Sequence, residues 1–112
     1  MTGESPSPPV LVYIPDQRAS YLASEALRSG GFDSMRVGSI SELELALEVM
    51  LCKVIVTITS KIGEVRELCD LPVVNIQVFV LPNIEPLTSE QSFFFDRNAF
   101  LERLRYSVRR FD

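Results

Sequence analysis

Apolar residues in this chain fall into short β-branched runs that alternate with longer stretches of helical spacing. Val10-Leu11-Val12-Tyr13-Ile14 is a continuous apolar run stopped by Pro15, the pattern of a strand buried on both faces. Asp16 then suits a helix N-cap, and Ala19, Leu22, Ala23, Ala26 and Leu27 recur at i, i+3, i+4, i+7 and i+8, which makes one apolar face. Gly30-Gly31 ends that helix, because glycine takes the left-handed conformation a C-cap wants. Residues 32–38 hold a short second strand around Met35-Arg36-Val37, whose mixed polarity suits a sheet edge. Ser39 and Glu42 read as a capping box for a second helix with Ile40, Leu43, Ala46, Leu47 and Met50 inward. Leu45 and Val49 lie four apart on the opposite side, among Glu42, Glu44 and Glu48, an apolar pair where solvent belongs.

Lys53-Val54-Ile55-Val56-Thr57-Ile58-Thr59-Ser60 is the run around which the rest is organised, the central strand of a parallel sheet. A short helix over residues 62–69 follows, with Ile62, Val65 and Cys69 inward, and then a long fourth strand over 71–80 with room for a bend. Residues 81–90, punctuated by Pro82, Asn83 and Pro86, read as a loop or one helical turn. Gln91-Ser92-Phe93-Phe94-Phe95 is a short fifth strand. Asp96 caps a last helix with Phe100, Leu101, Leu104, Val108 and Phe111 inward and Arg97, Arg103, Arg105, Arg109 and Arg110 outside. The alternation predicts an α/β fold: three layers, a doubly wound five-stranded parallel sheet of flavodoxin-like topology, and a fourth helix that is short or absent. Residues 1–9, rich in Ser and Pro, read as a disordered lead-in to a single domain over 10–112.

With 112 residues, 46% of them hydrophobic, the chain affords one domain with a real core. A formal net charge of −4 argues against nonspecific nucleic-acid binding. The chain contains no histidine, the commonest general base and metal ligand. Cys52 and Cys69 read as free, buried thiols of a reducing, cytoplasmic compartment, and no run approaches a membrane span.

The succession of units, ending in Phe95-Asp96 and an amphipathic helix, resembles the receiver domain of two-component response regulators over nearly all of residues 10–111. The likeness is strongest over residues 10–32 and 91–110, and Leu71-Pro72-Val73-Val74 is similar to the start of a receiver's fourth strand. Receiver chemistry uses two acids after the first strand to bind Mg²⁺, an Asp at the end of the third as phosphoryl acceptor, a Thr or Ser after the fourth, and a Lys after the fifth. A carboxylate nucleophile needs the dication to hold it and the phosphoryl oxygens together, and a cation to neutralise the product. Aligned on Gly31-Phe32, the acid pair falls on Ile14 and Pro15 with Asp16 just beyond. The acceptor falls on Thr57 or Ile58, the hydroxyl near Gln77, and the Lys-Pro on Phe93-Phe94. None of the five groups is kept, so the resemblance implies a pseudo-receiver: the fold without catalysis, cofactor or metal.

Each sharper reading has a plainer competitor. Asp16 without a second carboxylate caps a helix more naturally than it binds Mg²⁺. Thr57, Thr59 and Ser60 lack the glycine-rich loop a phosphate cradle needs, Gly63 being isolated, and read as strand-end hydroxyls bonded locally. Lys53 and Lys61 read as solvated, and Cys52 and Cys69 as small buried hydrophobes. Phe93, Phe94 and Phe95 divide between the two faces of their strand, so either all three are core or one faces a partner or plugs the vacated pocket. The expected function is a non-enzymatic interaction module that meets itself, as a homodimer, or a regulatory protein. The interface candidates are Phe93, Phe94, Phe95, Arg103, Arg105, Arg109, Leu45 and Val49. The alternative is a flavin or nucleotide site, or an enzyme, at the switch point between strands one and three, by analogy of fold.

Overall fold

A computed structural model describes residues 9–83 and 92–110. The expected lead-in over 1–8, the inward Phe111, most of the expected loop and the side chains of Phe93, Phe94 and Arg110 lie outside the described residues. The element order is β1 (Val10–Tyr13), α1 (Gln17–Ser29), β2 (Ser34–Val37), α2 (Ile40–Val49), β3 (Val54–Thr57), a 3₁₀ turn (Thr59–Lys61), α3 (Ile62–Leu68), β4 (Val73–Asn75), a second 3₁₀ turn (Ile76–Phe79), β5 (Val80–Asn83), β6 (Ser92–Phe95) and α4 (Arg97–Arg110).

Strands β1 to β4 form an all-parallel sheet in the order β2-β1-β3-β4. β1 and β3 are buried at every position, as their β-branched runs require, and β2 is the mixed-polarity edge. Alternate strand residues feed two cores. Val10, Val12, Val54, Val56 and Val74 meet Ala23, Ala26 and Leu27 of α1 and Phe100, Leu101 and Leu104 of α4. Leu11, Tyr13 and Ile55 meet Leu43 and Ala46 of α2 and Val65 of α3 on the other face. Helices therefore cover both faces of the sheet, α1 with α4 and α2 with α3.

The helix ends follow the sequence signals. Asp16 accepts the Ala19 amide at 3.3 Å. The Ser39 hydroxyl accepts the Glu42 amide at 3.2 Å, while Glu42 Oε1 reaches back to the Gly38 amide at 2.8 Å. After α1, Gly31 at φ +86° allows the Phe32 amide to bond the Leu27 carbonyl and its own amide to bond that of Arg28, a Schellman closure. At Gly30 an added Cβ would stand 2.5 Å from a Leu101 methyl, so α1 and α4 approach where only glycine fits without a shift.

Three expectations change. The run over 71–80 is not one bent strand. Asn75 Oδ1 accepts the Gln77 amide at 3.0 Å, an Asx turn that ends β4 after three residues and starts the 3₁₀ turn. The chain then leaves the parallel sheet, and the expected fifth parallel strand is instead β6, antiparallel to β5 in a separate ribbon, with Val80 opposite Phe95 and Asn83 opposite Ser92. Pro82, which cannot donate to a ladder, fits the two-stranded ribbon better than a sheet interior. Leu22 is not inward but 60% exposed, because the buried face of α1 centres on Ser20, Ala23, Ala26 and Leu27 and places Leu22 at its margin. Among the described residues no helix is long and apolar enough to cross a membrane.

Candidate functional site

The carboxyl end of the parallel sheet is where open α/β sheets carry their chemistry. Here the ends of β1, β3 and β4 are tied to one another by hydrogen bonds. Thr57, fully buried at the end of β3, donates its hydroxyl to the Tyr13 carbonyl of β1 at 2.6 Å. Thr59 donates its amide to Gln77 Oε1 at 2.9 Å, and its hydroxyl accepts Asn75 Nδ2 at 2.7 Å. Ile14 is buried and Ile58 half-buried in the α1–α4 core. Pro15 and Asp16 are exposed, with Asp16 engaged as a cap. The sequence positions Ile14, Pro15, Thr57, Ile58 and Gln77 thus converge on one end of the sheet, and none of them presents a carboxylate or a cation there. Phe93 lies on β6 opposite Pro82, within the ribbon. Among the described residues no three His, Cys, Asp or Glu side chains gather as a metal ligand set.

A second cluster was not legible in the sequence. Tyr13 points to the α2–α3 face and donates its hydroxyl to Glu64 Oε1 at 3.2 Å, and Lys61 Nζ meets Glu64 Oε2 at 3.1 Å. Burial, then the Glu64 charge and its hydrogen bond, push the Tyr13 phenol above its ordinary pKa, against a smaller opposite effect of Lys61. The hydrogen bond and charge of Glu64 likewise raise the Lys61 ammonium. Lys61 is therefore paired rather than simply solvated. Cys52 and Cys69 are half-buried free thiols beside the α2–α3 core, and burial, with Cys69 nearby, raises the Cys52 thiol.

A groove and a hollow adjoin the parallel sheet. A groove of about 880 Å³ runs between α1 and the segment after β4, walled by Leu22, Ala26, Ile58, Ile76, Val80 and Phe95, with Gln77 and Arg97 at its polar positions. A smaller, polar hollow of about 520 Å³ lies where β1 and β2 run into their helices, between Pro15, Ser20, Arg36, Ser39 and Glu42.

The interface candidates are not one patch. Phe95 is half-buried, with its ring 5.5 Å from that of Phe100. Arg103, Arg105 and Arg109 are exposed on α4. Leu45 and Val49 are 60% and 70% exposed on α2, across the sheet, and Leu51 beyond them is 86% exposed. No protein-family model, curated protein or solved structure matches this chain.

Proposed function

We propose that the chain is a non-phosphorylatable pseudo-receiver, a signalling module of the two-component type that works by protein–protein contact and associates with itself. The observation that carries this reading is the buried Thr57 hydroxyl bonded to the Tyr13 carbonyl, at one of the two positions, 57 and 58, onto which a receiver's acceptor carboxylate aligns. A parallel order β2-β1-β3-β4 with helices on both faces supports the fold half, since flavodoxin-like sheets share that succession. The β5–β6 ribbon takes the place of the fifth parallel strand, and the chain between β4 and β5 is a 3₁₀ turn. Two free thiols fit a reducing cytoplasm. Size-exclusion chromatography with light scattering tests the association: a mass above the monomer that rises with concentration is expected, and a strict monomer at high concentration removes self-association.

The groove of about 880 Å³ favours one competing reading, a small-ligand site, because its volume and apolar walls suit a flavin-sized or nucleotide-sized molecule. A thermal-shift panel with flavin, nucleotides and Mg²⁺ separates the two. The pseudo-receiver reading expects no stabilisation, and a clear upward shift with any of them favours the ligand site.

A further inference from the structure

The outer side of α2 is acidic and apolar, and that of α4 is mostly basic, interrupted by the exposed Glu102. On α2, Glu44, Glu48, Leu45 and Val49 are all exposed, no basic residue stands in the last turn, and Glu48 sits there against the negative end of the helix dipole. On α4, Arg103, Arg105 and Arg109 are exposed around Tyr106, which is itself more than half exposed. Arg103 already lies over the Tyr106 ring at 6.0 Å. Among the described residues no ion pair or hydrogen bond engages Glu44, Glu48, Arg105 or Arg109.

We infer that the acidic, apolar side of α2 docks on the arginine-and-tyrosine side of α4 in a second copy of this chain. The inference rests on the self-association part of the functional reading and names its surfaces. Opposite charges steer the encounter, and Leu45 and Val49 gain a partner in the Tyr106 ring and the arginine stems. Because α2 and α4 cover opposite faces of the sheet, the two halves of the contact point away from each other. One pair of copies therefore cannot satisfy both halves at once. The contact is heterologous, head to tail, and adds copies in a row or closes a ring rather than stopping at a two-fold dimer.

The test is sedimentation velocity on the whole chain with two charge-reversed forms, Glu44→Lys with Glu48→Lys, and Arg105→Glu with Arg109→Glu. All four positions are exposed, and circular dichroism confirms that each form is folded. The wild type should grow in mass with concentration at low salt and fall back towards the monomer at about 1 M salt, where the screening length is about 3 Å. Each reversed form alone should associate roughly a hundredfold more weakly or worse. Mixed in equal amounts, the two should associate again, because each supplies the surface the other lacks. Association that persists in both reversed forms, or a mixture that stays monomeric, overturns the α2–α4 contact. A wild type that is strictly monomeric at low salt overturns it together with self-association, while leaving the absence of phosphorylation to its own measurement.

Discussion

Thr57 Oγ stands 2.6 Å from the carbonyl oxygen of Tyr13 and ties the carboxyl ends of β3 and β1 together inside the core. The bond uses a donor, which a carboxylate cannot supply. Thr57→Val should cost about 1 kcal/mol, the usual worth of one such bond. Thr57→Asp should cost roughly 3 kcal/mol or more, since it sets a buried negative charge against a carbonyl oxygen. Urea unfolding of the three proteins checks the order.

Gly31 should prove costly to replace for a reason unrelated to space. An added Cβ meets nothing within 4 Å, but φ is +86°. Gly31→Ala should therefore lose roughly 1–2 kcal/mol through backbone strain alone, and Gly31→Asn less, because asparagine tolerates the left-handed region. Melting both variants beside the wild type reads the difference.

The Tyr13–Glu64 contact predicts an alkaline limb in the stability curve. The phenol is raised in the folded protein above its ordinary value of about 10. Between the unfolded and folded values the native state holds more protons, so the contribution is full below the unfolded pKa and is lost as pH rises through the folded one. Lys61, also raised, acts in the same direction. Tyr13→Phe should flatten this fall, and phenolate absorbance should show one tyrosine that ionises late in the wild type and is missing from the variant.

Phe100 is the joint between the ribbon and the parallel sheet. It is fully buried, with its ring 5.5 Å from Phe95 and 5.7 Å from Phe79. Phe100→Ala should cost about 3–5 kcal/mol. A double-mutant cycle of Phe95→Leu with Phe100→Leu should show a coupling of about 0.5–1.5 kcal/mol. Zero coupling would mean that the ribbon is not held through this pair.

Much of the parallel sheet was legible because its determinants are local. The runs at β1 and β3 have no charged residue to place in water, and Asp16 and Ser39 stand where an N-cap must be. The course after β4 was not legible, because an apolar run says nothing about the sheet it joins. The Asn75 side chain, bonded to the Gln77 amide, decides it. Leu22 misled because a residue at the margin of an apolar stripe is buried or exposed according to its neighbours. Tyr13 and Glu64 are 51 residues apart, and only the fold makes them partners. The absence of a carboxylate at positions 14, 15, 57 and 58 is plain in the sequence, whereas the separation of Leu45 and Val49 from the arginines by the thickness of the sheet was not.

Intact-mass measurement after incubation with acetyl phosphate and Mg²⁺ tests the central claim most directly. With Thr57 bonded to Tyr13 and no carboxylate at positions 14, 15, 57 or 58, the mass should be unchanged. Stoichiometric gain of one phosphoryl group, labile as an acyl phosphate is, would contradict the account.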